Sequence, residues 1–219
     1  MTAASPPMAY ASYYRWLVLN HLFDLTQLPT PLVDVGCDDG GFLAQLPQRP
    51  AIGIDRVLPA SWRQGAHSYR VAGDATALPL SPASAGSLLA IDVIEHVRDD
   101  KGMAKELLRV LAPGGVLLLS TPHKDYRLFP PWVMERAEAA WGHVRRGYSV
   151  PDLLGLVPGL QTELVLWPNI WFARLYLAMW SARRLSARVA KSLVDVCFAL
   201  DRRCPQREGG WLVLRATKT

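Results

Sequence analysis

The chain has 219 residues, of which half are hydrophobic and a fifth are charged. This composition excludes a disordered or fibrous chain, and the length favours one domain whose core needs no metal or disulfide for stability. The net charge is only +5, and the eight basic and two acidic residues of segment 170–207 more than account for it. Basicity confined to one segment argues against a nucleic-acid-binding protein.

Cysteine usage and the first residues predict a reducing compartment. Cys37, Cys197 and Cys204 contain no CxxC pair, and no histidine stands at metal-ligand spacing, so neither a disulfide framework nor a metal site is predicted. The first residues lack the apolar core of a signal peptide, and no apolar stretch reaches the roughly 18 residues of a membrane span. We therefore expect a cytoplasmic protein.

Short apolar runs alternate with helical or loop segments after a predicted helix at about residues 8–25. The runs are nearly continuous, as in strands that are covered on both faces of a parallel sheet. They lie at 32–36, 51–55, 69–72, 87–92 and 116–121. Between them, a helix is expected to start near Gly41, and segment 101–111 is followed by an Ala-Pro-Gly-Gly stop. This alternation predicts a Rossmann-like, doubly wound α/β fold.

The pattern changes after Pro122. Residues 128–144 indicate an aromatic helix, and 163–167 and 211–216 indicate two late strands with a long basic segment between them. We therefore expect a seven-stranded, mostly parallel sheet with a terminal antiparallel hairpin, an N-terminal helix and a long helical insertion before the last strand. The single domain divides into a core at about 26–122, a helical part at about 123–208 and a last strand at 210–217.

The loop after the first strand, DVGCDDGG at 34–41, carries the first chemical signal, because ligands of such sheets bind at the carboxyl ends of strands. Gly36 and Gly40 permit a tight turn and a close approach of backbone to ligand. The dinucleotide pattern G-x-G-x-x-G fails here, since Asp38 stands at its middle glycine, and the acids would repel a pyrophosphate. A cationic ligand without phosphate suits this loop better.

Further ionisable side chains end the next three strands. Asp55 follows the second strand and can accept both hydroxyls of a ribose. Asp74 follows the third strand and can accept from the exocyclic amine of an adenine, and Asp92, Glu95 and His96 follow the fourth. Such groups in succession at strand ends are hard to explain by packing.

Together these segments resemble the class I S-adenosylmethionine-dependent methyltransferases with a type 11 methyltransferase domain, most closely the subgroup that includes the ubiquinone- and menaquinone-biosynthesis enzymes. The resemblance covers about residues 33–122 and depends on VDVGCDDGG, IGID, GDATALPL, AIDVIEHVRD and ELLRVLAPGGVLLLSTP in this order. It implies an enzyme that transfers the methyl group of S-adenosyl-L-methionine to a small-molecule acceptor bound by the helical part.

The resemblance also implies a role for each matching position. The methionine moiety would lie at Asp34 and the loop glycines, the ribose at Asp55, and the sulfonium near Asp92. The implied cofactor-binding residues are Asp34, Gly36, Cys37, Asp38, Gly40, Asp55, Arg56, Gly73, Asp74, Ala75, Asp92, Val93 and His96. The family usually has a glycine where this chain has Asp38, which would either crowd the cofactor's carboxylate or turn outward and cap the following helix.

Two histidines are candidate catalytic residues. His96 lies among the acids after the fourth strand, and His143 stands in a turn, WGHVR, that could face the acceptor. A hydroxyl acceptor would gain from such a general base, whereas an activated carbon or amine needs none. A surface or capping role is the alternative for both, and His123 is a weaker candidate.

Segment 170–202 is amphipathic at 100° per residue. Its predicted apolar face is Trp171, Leu175, Met179, Leu185, Val189, Leu193, Val196 and Leu200, and its polar face is Arg184, Arg188, Lys191, Asp195 and Arg202. Three interpretations of the apolar face are open: it packs on the sheet, it forms a dimer contact, or it lies on anionic lipid at the periphery of the inner membrane. In the third interpretation the segment guides an apolar or lipid-linked acceptor to a pocket at 129–134. A monomer and a homodimer both remain open.

Two other functions are alternatives. A cofactor-binding but catalytically silent partner subunit of a methyltransferase complex is motivated by Asp38 and by the lack of an obvious base. A nicotinamide-dependent oxidoreductase is disfavoured by the missing middle glycine and by the absence of a Tyr-x-x-x-Lys pair.

Overall fold

The computed structural model of the chain describes residues 9–46, 50–62, 67–206 and 209–219, without the side chains of residues 131, 132, 180 and 182–185. The helices are α1 (Tyr10–Leu22), α2 (Asp100–Val110), α3 (Pro131–Trp141), α4 (Val150–Gly155), α5 (Ile170–Leu185) and α6 (Ala187–Asp201). The strands are β1 (Leu32–Val35), β2 (Ala51–Asp55), β3 (Ser68–Ala72), β4 (Ala85–Ile91), β5 (Leu111–Pro122), β6 (Leu160–Trp167) and β7 (Trp211–Lys218).

Within these described ranges, seven strands form one sheet in the order β3-β2-β1-β4-β5-β7-β6. Strands β1 to β5 are parallel, and β7 runs antiparallel between β5 and β6. The Rossmann-like fold with a terminal antiparallel hairpin, an N-terminal helix and a helical insertion is therefore confirmed. The strand order reverses between β1 and β4, which places a switch-point crevice at their carboxyl ends.

The nearly continuous apolar runs become buried strands, as expected of a sheet that is covered on both faces. All four residues of β1 and six of the seven residues of β4 are buried. One face packs against α1 and α6 through Val18 and Val194, and the other packs against α2 and α4 through Leu107 and Leu153.

Two predictions about the first half of the chain need correction. No α-helix starts near Gly41 in the described residues, which form only a 3-10 turn at Leu43–Gln45. Two glycines precede this turn and Pro47 follows it, a composition that disfavours a longer helix. Strand β5 also begins at Leu111 rather than at residue 116, because Leu111 pairs with Ala85 on the far side of an irregularity in β4.

The basic segment forms two helices rather than one continuous helix. The break lies at Ser186, whose Oγ accepts from the backbone N–H of Val189 and caps α6. A helical wheel continued across this break does not keep its phase, so the predicted apolar face is wrong at Val189 and Val196, whereas Leu193 packs against the core as predicted. Val189 and Val196 are 52% and 50% exposed. The side chains that α6 buries are Ala190, Val194, Cys197 and Asp201.

In α5, Met179 is buried as predicted. The predictions for Arg184 and Leu185 fall on side chains outside the described set. No helix in the described part of the chain has the length and apolarity needed to cross a membrane.

Candidate active site

The loop after β1 is shaped by close contact with the loop after β4. Gly36 has a φ of +78°, and a Cβ there would come within 2.3 Å of Val93 Cγ2. Gly40 has a φ of +76°, and a Cβ there would come within 2.7 Å of the Trp62 ring. Both positions therefore require glycine, for left-handed backbone as well as for space.

Asp38 stands in this loop at a φ of +45°, a left-handed conformation that aspartate tolerates better than most residues. Its side chain is exposed. The backbone N–H of Gly41 donates to Asp39 Oδ1 at 3.0 Å. The expected local cap is therefore made by the neighbouring aspartate, and the α-helix that Asp38 was expected to cap does not begin there.

The carboxylate of Asp55 is oriented by backbone donors. Its Oδ2 accepts from the N–H of Asp38 at 3.0 Å, and its Oδ1 accepts from the N–H of Val57 at 3.1 Å. After β3, Asp74 Oδ1 accepts from both the N–H and the hydroxyl of Thr76, at 2.8 and 2.7 Å. These hydrogen bonds lower the pKa of Asp74 below its ordinary value and keep it ionised.

Asp34, within β1, is only 3% exposed. Burial, and to a smaller extent the negative charge of Asp55, raises the pKa of Asp34 to about 7. A ligand with net positive charge would stabilise the ionised form of this carboxyl group.

Asp92, directly after β4, accepts hydrogen bonds from two strands and forms an ion pair with a helix. Ser120 Oγ and Trp211 Nε1 donate to its Oδ1 at 2.7 and 2.6 Å, and Arg15 of α1 pairs with its Oδ2. Close by, Glu95 is 1% exposed and accepts from Thr121 Oγ1 at 3.1 Å. Burial and the charge of Asp92 raise the pKa of Glu95 well above its ordinary value.

The structure brings His96 and His143 together, with ring centroids 4.7 Å apart. His96 Nδ1 lies 3.2 Å from the carbonyl oxygen of Gly142 and therefore donates, since a carbonyl only accepts. Burial, and secondarily the neighbouring His96, lowers the pKa of His143 to about 4, so His143 is a neutral imidazole near pH 7. His123 is 2% exposed and accepts from the Asp125 N–H away from this pair.

Two adjoining cavities open at the carboxyl ends of the parallel strands in the described part of the molecule. The first has a volume of about 370 Å³, and the second has a volume of about 750 Å³. Gly36, Asp92 and His96 line both.

The predicted site residues divide between the two cavities. The first cavity is also lined by Asp34, Cys37, Asp38 and His143. The second is also lined by Asp55, Arg56, Gly73, Asp74, Ala75 and Val93. Gly40 lines neither cavity, since it is buried against Trp62.

The rest of the first cavity was not predicted from the sequence. These lining residues come from α1, α3, α5, β7 and the loops after β5 and α3, and include Arg15, Tyr126, Glu138, Trp141, Arg146, Tyr176 and Trp211. Of the predicted pocket at 129–134, Met134 lines the cavity, whereas Phe129 packs behind it on Trp141 and Tyr176. The side chains of residues 131 and 132 lie outside the described set.

Comparisons with known proteins agree with this geometry. Residues 33–119 match a family model described as a methyltransferase domain. A probable S-adenosylmethionine-dependent methyltransferase of Mycolicibacterium smegmatis is 32% identical over 143 residues, which cover 58% of this chain and 55% of the relative. Norajmaline N-methyltransferase of Rauvolfia serpentina is 29% identical over 116 residues, which cover 47% of this chain and 39% of the relative. The chain thus spans about half or less of the length of these relatives.

Among solved structures, phosphoethanolamine N-methyltransferase 2 of Haemonchus contortus, in complex with phosphomonomethylethanolamine and S-adenosylhomocysteine, has a TM-score of 0.67 at 16% identity. The match covers 94% of this chain and 52% of that one, and it shows the likeness of fold. The predicted Rossmann-like fold is thus confirmed, and the chain shares it with this methyltransferase. Residues 33–119 match the methyltransferase-domain model, the Mycolicibacterium relative is a probable S-adenosylmethionine-dependent enzyme, and a second structure of the Haemonchus enzyme is in complex with S-adenosyl-L-methionine.

Proposed function

We propose that this chain transfers the methyl group of S-adenosylmethionine to a small acceptor by in-line displacement. The observation that carries the proposal is the shared wall of Gly36, Asp92 and His96, because a ligand that extends from one cavity into the other must pass these residues. The adenosyl end would occupy the second cavity, and the methionine end would lie at Asp34 in the first. The sulfonium would then lie near Asp92 and His96, where the acceptor cavity begins.

The donor and acceptor chemistry of the second cavity supports this orientation. The backbone-held carboxylate of Asp55 suits two ribose hydroxyls, and ionised Asp74 with the backbone of Ala75 suits the adenine amine. Arg56 would lie over the adenine edge, with Gly73 and Val93 completing the wall. The net positive charge of the cofactor fits a cleft in which acids outnumber arginines among the lining residues.

The remaining wall of the first cavity supports a small acceptor with an aromatic or apolar body. Tyr126, Trp141, Phe172 and Tyr176 form this wall, and they come from the helical part at about 123–208 that we assign to acceptor binding. Ligand sites usually measure about 300–1,000 Å³. The first cavity is at the lower end of that range and must also hold the methionine moiety, so the acceptor is small.

Methyl transfer from a sulfonium depends mainly on alignment, which supplies about 7–11 kcal/mol in well-oriented reactions. His143 has a neutral imidazole in the wall of the first cavity and can accept a hydrogen bond from an acceptor hydroxyl, but its lowered pKa makes it a weak base. His96 Nδ1 is committed to Gly142, which fixes the ring that both cavities share.

Binding and turnover measurements test this proposal. Calorimetry with S-adenosylmethionine and S-adenosylhomocysteine should give micromolar or tighter dissociation constants, with no comparable binding of NAD. A panel of hydroxyl, amine and activated-carbon acceptors, followed by mass spectrometry, should then identify a methylated product. NAD binding without S-adenosylhomocysteine binding contradicts the proposal, whereas cofactor binding without turnover favours a catalytically silent partner subunit.

The finer predictions depend on the acceptor. Membership of the ubiquinone- and menaquinone-type subgroup would be supported by turnover of a polyprenyl-linked ring, of which only the ring would lie in the first cavity, against the aromatic wall. Peripheral membrane contact would use the exposed Leu177, Val189 and Val196 of α5 and α6. Salt-sensitive pelleting with anionic liposomes supports this contact, and the absence of such pelleting contradicts it.

The cytoplasmic location and the choice between monomer and homodimer stay predictions.

A further inference from the structure

We infer that Glu95, His96 and His143 form a binding site for a divalent transition metal ion with zinc-like ligand preference. One carboxylate oxygen and one ring nitrogen of each histidine all lie within 4.8 Å of one another. Glu95 and His96 follow β4, whereas His143 follows α3. The fold therefore creates a ligand set that the spacing of histidines along the sequence did not reveal.

Two of the three side chains already have the outer contacts that metal ligands need. His96 Nδ1 donates to the Gly142 carbonyl oxygen, which leaves Nε2 as the nitrogen with a lone pair. Thr121 Oγ1 donates to Glu95 Oε2. Metal-bound histidines typically donate their other ring N–H to a carbonyl or carboxylate, and bound carboxylates are hydrogen-bonded in turn.

The third side chain has an unused ligand atom. His143 Nδ1 is buried and has no hydrogen-bond partner among the described residues. Leaving such an atom unpaired costs about 1–3 kcal/mol, which a coordinate bond would offset.

The local charge suits a dication. Glu95 is 1% exposed and follows Asp92 in the same loop, so a bound cation would neutralise a buried carboxylate. Arg15, the nearby positive charge, is paired with Asp92. Asp92 therefore balances the charge of Arg15, and Glu95 adds one further carboxylate to the site.

Two imidazole nitrogens and one oxygen favour Zn²⁺ or Co²⁺ over Mg²⁺ or Ca²⁺, which prefer oxygen ligands. Ligands of tetrahedral zinc at 2.0–2.1 Å lie about 3.3 Å apart, so the trio must contract on binding. The exposed His96 ring can tilt about its hydrogen bond to Gly142 without breaking that bond. Three protein ligands leave a coordination position open, as in catalytic zinc sites. Polarisation of an acceptor oxygen at that position is a consequence that rests on the proposed function.

Metal titration of the full chain tests the site itself. Chelator-treated, dialysed protein is titrated with Zn²⁺ and Co²⁺, with stoichiometry from metal analysis and the ligand type from the visible absorption of bound Co²⁺. Wild-type protein should bind one ion per chain with an absorption typical of nitrogen and oxygen ligands. His96→Asn, His143→Asn and Glu95→Gln should each weaken binding on the order of 10–100-fold or more.

His67→Asn is the matched control, because His67 is exposed and lines neither cavity. Cys204→Ser excludes the thiol as the ligand. The inference is overturned by the absence of stoichiometric binding, by unchanged affinity in the ligand variants, or by loss of binding in Cys204→Ser. If Glu95→Gln fails to fold, the exposed His96 decides the outcome.

Calorimetry with S-adenosylhomocysteine on the same preparations separates this inference from the proposed function. Cofactor binding without metal binding overturns the metal site alone. Metal binding without cofactor binding overturns the proposed function alone.

Discussion

Trp211, the first residue of β7, donates its indole N–H to Asp92 Oδ1 at 2.6 Å and ties the last strand to the loop after β4. Ser120 of β5 donates to the same oxygen, and Arg15 of α1 pairs with the other. Asp92 has a φ of +52°, so three distant elements hold a left-handed residue at the shared wall of both cavities. The terminal hairpin thus contributes to the site as well as to the sheet.

Replacing Trp211 with Phe should destabilise the protein, because the hydrogen bond to a charged acceptor is lost. The expected loss is on the order of 1.5–3 kcal/mol in the free energy of unfolding, measured by urea denaturation. A double-mutant cycle with Asp92→Asn separates this bond from the change in packing. Additive effects of the two substitutions would contradict the coupling.

Asp201, the last residue of α6, anchors three helices from a fully buried position. Its carboxylate caps the start of α5 by accepting from the backbone N–H groups of Ile170, Trp171 and Phe172. It also accepts from the Tyr14 hydroxyl of α1. Because Asn carries no charge and turns a donor toward these donors, Asp201→Asn should lower stability on the order of 1.5–3 kcal/mol.

The matched control for this substitution is Asp195→Asn on the same helix. Asp195 forms a half-exposed i,i+4 ion pair with Lys191 and accepts from the Tyr13 hydroxyl, for which Asn keeps an acceptor oxygen, so the loss of charge should cost about 0.2–1 kcal/mol. Equal denaturation midpoints for the two variants would show that Asp201 does not stabilise α5. S-adenosylhomocysteine affinity of the folded Asp201 variant should be unchanged, since Asp201 lines neither cavity.

Asp55→Ala should weaken S-adenosylhomocysteine binding by about 1.5–3 kcal/mol, or roughly 10- to 150-fold, because the ribose hydroxyls lose a charged acceptor. Titration calorimetry measures the change, and circular dichroism checks the fold. Asp125→Ala is the control, since Asp125 is 60% exposed and lines neither cavity. Equal affinities in the two variants would remove Asp55 from the cofactor site.

The strand ends of the cofactor half could be predicted from the sequence because buried parallel strands are continuous apolar runs. Asp55 and Asp74 stand directly after such runs, in the loops where ligands bind. Most of the wall of the first cavity could not be predicted, because Arg15, Tyr176 and Trp211 come from helices and a strand whose approach depends on tertiary packing. The cluster of Glu95, His96 and His143 was missed for the same reason, since His143 meets His96 only in the folded chain.

Cofactor affinity should rise with pH between about pH 6 and 8. The pKa of Asp34 is raised to about 7 in the ligand-free protein, and the positive charge of the cofactor favours the ionised carboxylate, so binding releases a proton. Calorimetry in buffers of different ionisation enthalpy counts that proton.

Asp34→Asn should bind more weakly at pH 8 and lose this pH dependence. In the ligand-free protein, the free energy of unfolding should change with pH in the opposite direction to cofactor affinity. The native state retains the proton of Asp34 up to about pH 7, whereas the unfolded state releases it near pH 4, so the free energy of unfolding should fall over this interval. The Asn variant should show a smaller decline in urea denaturation, because it has no proton to lose. The same decline in both proteins would mean that Asp34 is ionised throughout and that its burial does not govern cofactor affinity.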